Sequence, residues 1–341
     1  MLINVMQIGR YWHQNFSLGI IPICKYLFFQ SMGWKNLLRH KPCLYPIMDE
    51  YEGIMINTGV TSIFLRKLGN GPPLLLLHGF PETHLMWREV APRLANKFTV
   101  ICADLRGYGQ SGCPKSDAQH FPYSKREMAK DMAIVMEQLG FTEFFIAGHD
   151  RGGRVAYRLA LDYPDRVKKI AVLDIIPTID AWNLADRHFA LDFWPWSLLA
   201  QTEPFPEKLI AANPEAIIEN ATTDWGSAES VFPGDIKEAY IIALGDPRHI
   251  HAICEEYRAA ATIDIEHDSV DRKIGRNIQC PLLVIWAENG PLNKWYEKEG
   301  GPLVIWQNWA NEVSGYAIKG GHFFPEESPD EIAHSFHSFF S

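Results

Sequence analysis

The chain has 341 residues, long for one minimal domain and suited to one large domain or to a core carrying an insert. Hydrophobic residues make up 47% and charged residues 21%, an ordinary globular balance that excludes disordered, collagen-like, coiled-coil and repeat architectures. Lys plus Arg number 32 against 41 Asp plus Glu, so the net charge is −9; no broad cationic surface is available and nucleic acid is not an expected partner.

The first 48 residues carry five basic residues (Arg10, Lys25, Lys35, Arg39, Lys41) and no acid, and so differ in character from all that follows. The most apolar run there, from Phe16 to Gln30, is interrupted by Pro22 and Lys25 and is shorter than the ~20 residues a bilayer span requires. No membrane span is expected. Residues 1–47 read as a poorly ordered N-terminal extension, with an organelle-targeting peptide and an amphipathic surface anchor as the other readings. The six cysteines form no C-x-x-C pair and read as reduced thiols of a cytoplasmic protein.

From Glu52 onward short apolar runs alternate with helical stretches, the pattern of a mostly parallel sheet covered by helices. Ile54–Asn57 and Ser62–Lys67 predict a hairpin turned at Thr58–Gly59. Pro73–His78 is a continuous run buried on both faces. Phe98–Ala103, Glu143–Ala147, Lys169–Leu173 and Pro281–Ala287 repeat that character. Ser124 caps a helix that Gly140 closes, and a last helix follows Ser328. Between Pro177 and about Ile265 the rhythm changes to Trp- and Pro-rich helical pieces, as expected of a cap inserted above the sheet. The expected organisation is a core over residues 48–177, a helical cap over 178–264 and a second part of the core over 265–341.

The sharpest local signal is the strand FFIA followed by Gly148-His149-Asp150-Arg151-Gly152 and a helix. A G-x-x-x-G turn between strand and helix presents its central side chain above the sheet, with the next backbone N–H open to an oxyanion. Here the centre is Asp150. A carboxylate is ionised at neutral pH and attacks carbon without a base, which suits displacement of a halide or an epoxide oxygen from saturated carbon and argues against esterase and lipase chemistry. The resulting ester must be hydrolysed, which calls for a base late in the chain; Gly321-His322-Phe323 supplies His322. Asp174, ending the strand AVLD, is preferred over Glu288 as the acid that orients it. The N–H groups of Phe80, in the loop His78-Gly79-Phe80-Pro81, and of Arg151 form the expected oxyanion hole. His78 and His149 are assigned to holding the loop and the turn by hydrogen bonds.

The stretches HGFPETHLMW, DLRGYGQS, AGHDRGGRVAYRLALDYPDRV, AVLDIIPT, CEEYRAAATIDIEHD and GGHFFPEE together resemble the α/β-hydrolase superfamily, and within it the haloacetate (fluoroacetate) dehalogenase family, over about Met48 to Ser341. The resemblance implies an α/β-hydrolase fold, a small-molecule substrate, no cofactor, no metal and a homodimer. Arg151 and Arg154 stand three apart at the helix start, where their charges would offset the repulsion between Asp150 and a substrate carboxylate, about 4 kcal/mol at 4 Å and an effective dielectric near 20. The resemblance implies the same clamp. It also implies halide donors, a His-Trp pair and a tyrosine, of which Trp196 and Tyr257 match. Pro195 stands where the histidine belongs and offers no donor. Fluoride, which holds its charge most tightly, loses most by this, and His188 lies two turns away. Glu266-His267-Asp268 and Asp271 match a stretch of the family without a metal role. Two other functions are open at this stage: an epoxide hydrolase in which Tyr257 protonates the opening oxygen, and a non-catalytic ligand-binding relative in which Asp150, Asp174 and His322 fail to converge.

Overall fold

In the computed structural model, residues 48–341 are described, and the reading of residues 1–47 lies outside them. Eight strands form one sheet: β1 (Glu52–Asn57), β2 (Ser62–Leu68), β3 (Pro73–Leu77), β4 (Thr99–Ala103), β5 (Phe144–His149), β6 (Val167–Leu173), β7 (Leu282–Ala287) and β8 (Val313–Ile318). Their spatial order is β1-β2-β4-β3-β5-β6-β7-β8. The first two pairings, β1 with β2 and β2 with β4, are antiparallel and the rest are parallel. The α/β class and the strands expected from Ile54 to Ala287 are therefore present, each shifted by no more than two residues at either end. The hairpin register pairs Asn57 with Ser62 across the expected turn. β8 adds an edge strand to the set expected from sequence.

The central strands are apolar because both their faces are covered. Leu74 to Leu77 of β3 and all of β4 are buried. Helix Lys125–Gln138 begins, as expected, at Ser124, whose hydroxyl accepts the N–H of Glu127. It packs beside helix Asp150–Asp162 on the sheet. In chain order β4 lies on one side of β3 and β5 on the other, so the loops after β3 and β5 leave the same carboxyl edge in opposite directions. That switch is where an open α/β sheet forms its crevice. Phe80 and Asp150 sit on those two loops.

Between β6 and β7 the chain holds only helices, from Thr178–Asn183 to Ile263–Lys273. Position 264, given above as the end of the insert, falls one residue into the last of these. That helix is tied to the core by its acids: Asp268 accepts the Tyr157 hydroxyl at 2.9 Å and the Ile179 N–H at 3.2 Å, and Asp271 pairs with Arg158. Asp264 accepts the N–H of Lys125 at 2.8 Å. Of the acids in the stretch Glu266-His267-Asp268 and Asp271, Asp268 and Asp271 thus have protein donors of their own, and Glu266 is exposed. Among the described residues no helix is long and apolar enough to cross a membrane.

Candidate active site

The turn from β5 into its helix is tight enough to hold Asp150 at φ 45°, a left-handed conformation that costs a residue with a side chain roughly 1–3 kcal/mol. Flanking glycines permit it. A Cβ on Gly152 would lie 2.4 Å from the carbonyl oxygen of His78, and one on Gly79 would lie 2.5 Å from the Asp150 Cβ. Strand β5, strand β3 and the helix can therefore approach each other only because these positions are bare. The strain aims a single carboxylate into the crevice. Asp150 is buried and accepts the Phe80 N–H at 3.0 Å through Oδ1. The Arg151 N–H, the second expected donor, makes no hydrogen bond to that carboxylate.

His322 lies on the loop between β8 and the helix Phe324–Glu327. Its Nδ1 is 2.6 Å from Asp174 Oδ2, and Asp174 Oδ1 accepts the N–H of Ala287 at 3.0 Å. Asp174 follows β6 at φ 53°, a second strained residue at the same sheet edge. Glu288, the other acid considered, is exposed. The His322 backbone is pinned on both sides: its N–H donates to the Trp225 carbonyl at 2.9 Å, and its carbonyl accepts from His149 Nε2 at 2.8 Å. Burial works to lower the His322 pKa, but the hydrogen bond and charge of Asp174, with the charge of Asp150, outweigh it and the pKa is raised. Burial likewise works to raise Asp150, and the positive charges of His322, Arg151 and Arg154 outweigh it, so the carboxyl lies below its usual range. Asp150 is ionised wherever the protein is folded near neutrality.

The two arginines are both buried but are not equivalent. Arg151 Nε donates to Glu256 Oε1 at 2.9 Å, and its guanidinium lies 4.0 Å from the Tyr257 ring centroid. Lys125 Nζ reaches the same Glu256 oxygen at 2.6 Å and the Tyr108 hydroxyl donates to Oε2 at 2.6 Å. Burial opposes ionisation of Glu256, yet Arg151 and Lys125 hold its pKa down at about 2. Among the described residues Arg154 has no carboxylate within ion-pair distance. Its Nη1 donates to the Ile176 carbonyl at 3.0 Å and the Thr178 hydroxyl at 3.2 Å, and it lies 4.3 Å from the Trp196 ring. Arg154 Nε and Arg151 Nη1 are buried without a hydrogen-bond partner among the described residues. Burial and the like charge of Arg151 together lower the Arg154 pKa. A buried guanidinium with spare donors and no anion is costly unless an anion arrives from solution.

Asp150, Arg154, Asp174 and Trp196 share one cavity, whose free space is about 10 Å3, roughly what one water needs. His322 opens instead onto an outer cleft of about 760 Å3, and Phe193 lines both spaces. The Trp196 and Tyr257 rings are 6.4 Å apart, edge to face, and neither the indole N–H nor the Tyr257 hydroxyl has a hydrogen-bond partner among the described residues. His188 is exposed and lines the outer cleft, apart from that pair. His78 donates from Nδ1 to the Gly79 carbonyl at 2.9 Å and accepts the Leu105 N–H at Nε2 at 3.0 Å, as expected of a loop anchor. Sequence reasoning missed Glu256, the counterion of Arg151, although an acid beside Tyr257 in the apolar stretch CEEYRAAA was a usable signal. It also missed Tyr296 and Phe193 in the cavity wall, for which no local pattern existed.

Residues 72–301 match the family described as alpha/beta hydrolase fold. The chain is 42% identical over 297 residues to fluoroacetate dehalogenase of Burkholderia sp, covering 86% of this chain and 95% of that protein. It is 31% identical over 277 residues to soluble epoxide hydrolase of Corynebacterium sp. (strain C12), covering 80% and 91%. A structure described as an alpha/beta hydrolase from Nostoc sp PCC 7120 superposes with a TM-score of 0.83 at 46% identity, covering 86% of this chain and 99% of that one.

Proposed function

The chain belongs to the α/β-hydrolase fold family, with dehalogenase and epoxide hydrolase relatives, and from that membership we propose that it hydrolyses short 2-halocarboxylates to 2-hydroxycarboxylates. The observation that carries this reading is Arg154. A buried, unpaired guanidinium beside the attacking carboxylate is an expense for a neutral substrate and a binding site for an anionic one.

In this mechanism the substrate carboxylate lies on Arg154 Nε and Arg151 Nη1, which places C2 in front of Asp150. An Asp150 oxygen forms a bond to C2 as the carbon–halogen bond breaks, and the halide leaves with its electron pair toward the Trp196 indole N–H and the Tyr257 hydroxyl. The ester is then attacked at its Asp150 carbonyl carbon by a water whose proton passes to His322. Asp174 stabilises the imidazolium. The Phe80 N–H, already on Oδ1, with the N–H of Arg151, holds the oxyanion. On collapse His322 returns that proton to the departing hydroxyl oxygen, which frees the hydroxy acid, and the Asp150 carboxyl loses the second proton of the water to solvent. The reaction is substrate plus water to hydroxy acid, halide and a proton. The cap of residues 178–264, the cytoplasmic setting and a homodimer belong to the same proposal.

Epoxide hydrolysis is the second reading. It is favoured by the free hydroxyl of Tyr257, which burial keeps protonated, and by the Corynebacterium relative. It leaves Arg154 without a role. A non-catalytic binding protein is disfavoured by the hydrogen bond between His322 and Asp174. The deciding experiment incubates the protein with chloroacetate, fluoroacetate and a neutral epoxide, with mass analysis of His322→Ala after chloroacetate. Halide release and a carboxymethyl ester on Asp150, with chloride released faster than fluoride because Pro195 leaves one donor fewer, support the proposal. Diol from the epoxide with no halide establishes the second reading, and neither product nor ester removes both.

A further inference from the structure

A group of buried side chains behind the elbow takes no part in the chemistry above. Glu82, on the loop that carries Phe80, is enclosed, and among the described residues no N–H or hydroxyl group donates to either of its oxygens; its carboxyl neighbour is Glu326. Its Oε2 is 3.5 Å from His149 Nδ1, which also has no partner. The other side of that imidazole is committed. His149 Nε2 is 2.8 Å from the carbonyl oxygen of His322, and a carbonyl only accepts, so Nε2 bears the hydrogen. In a neutral imidazole Nδ1 is then a bare lone pair facing a carboxyl oxygen. Such a contact is attractive only with a proton in between.

The surroundings decide where that proton resides. The groups facing Glu82 are Glu326 from helix Phe324–Glu327, Arg88 from the segment after its own loop, Asp150 and His149 from the elbow, and Tyr240 from helix Gly234–Leu244. Glu326 forms an ion pair with Arg88 and accepts the Tyr240 hydroxyl at 3.2 Å, yet burial and the neighbouring charge of Glu82 push its pKa up as well, so two buried carboxyl groups share one fixed cation. Ionising both would set two buried like charges side by side, and of the two it is Glu82 that faces the bare Nδ1 of His149 while Arg88 lies on Glu326. His149 is a poor proton holder, since burial and the charge of His322 push its pKa down to about 4. Burial pushes Glu82 up to about 8.

We propose that Glu82 is a positioning residue that works as a neutral acid: its O–H donates to His149 Nδ1, which fixes the tautomer through which His149 Nε2–H holds the backbone of His322. Loss of that proton sets a carboxylate against a lone pair and loosens the loop carrying the base. The inference concerns the scaffold of the base and is independent of which substrate the site takes.

The test uses the full chain with thermal unfolding from pH 5 to 9.5 and nitrogen-15 spectra of the imidazoles. A folded pKa near 8 against an ordinary 4.5 means that the folded state holds the proton longer, so this contribution to stability is whole below about 4.5 and lost as pH rises to about 8. Glu82→Gln keeps a donor that never ionises. The melting temperature of wild type relative to Glu82→Gln is expected to fall across that interval and level above it, while wild-type His149 shows a bare Nδ1 at pH 7 and changes near pH 8. A difference that stays constant with pH, or a protonated Nδ1 with bare Nε2 at pH 7, overturns the proposal. Should Glu82→Gln fail to fold, Glu326→Gln frees Arg88 to pair with Glu82, and the wild-type step must move to lower pH; a step that stays in place overturns it equally.

Discussion

Arg154 sets binding against stability. Its removal relieves the burial of an unpaired charge, worth several kcal/mol, and strips donors from the Ile176 carbonyl and the Thr178 hydroxyl, at about 1–3 kcal/mol. The first effect is the larger, because Arg151 adds like-charge repulsion. Arg154→Met, which keeps an apolar body over Trp196, is therefore expected to stabilise the fold by about 1 kcal/mol while raising KM for chloroacetate roughly 10–100-fold. Denaturant unfolding and steady-state kinetics check the two halves. A variant that is less stable and binds chloroacetate as well as wild type would make Arg154 a structural residue. Arg151 would not behave this way, since removing it strands Glu256 with Lys125 alone. Sequence gave the two guanidiniums equal standing because spacing places residues on a face and says nothing of counterions from a helix a hundred residues later.

Elements were legible in proportion to their burial. β3 and β4 are apolar but for Thr99 since both faces are covered, and the turn at Asp150 was visible because strand, Gly-x-x-x-Gly turn and helix are contiguous. β8 escaped notice: of its residues VSGYAI three are exposed and one, Ile318, is buried, at a sheet edge where Ser and Gly cost little and no apolar run is required. The short helix Trp194–Leu199 shows what an element permits. Pro195 lies in its first turn, where a backbone N–H has no partner within the helix, so another residue can stand there without loss of a helical hydrogen bond. Pro195→His should therefore keep the helix and set an imidazole donor next to Trp196. The expected result is a several-fold rise in fluoride release relative to chloride release, read with ion-selective electrodes on matched haloacetates. An unchanged ratio would place the departing halide away from this turn.

At the scale of the whole molecule, the meeting of Asp150, Asp174 and His322 at one sheet edge was legible and the volume was not. Asp150, Asp174 and His322 each end a strand or follow one at the same sheet edge, so chain order was enough to bring them together. The space in front of them is bounded by side chains from separate segments, among them Phe193, Trp196, Leu292 and Tyr296, and no local pattern reports their fit. That fit leaves about 10 Å3 inside against about 760 Å3 in the outer cleft, too little for even a two-carbon acid until a wall residue moves. Phe193 is the residue common to both spaces. It joins the helices Arg187–Asp192 and Trp194–Leu199, and its ring packs on Trp295 at 4.8 Å and on His322 at 6.0 Å. Shortening it merges the inner and outer spaces without touching the clamp. Since a snug apolar wall discriminates about 10–200-fold per methylene, Phe193→Ala is expected to raise kcat/KM for 2-chlorobutyrate relative to chloroacetate by about tenfold or more. Competition between the two acids in one assay measures that ratio directly, and a ratio equal to that of wild type would mean that substrate reaches Asp150 by a route that does not pass this ring.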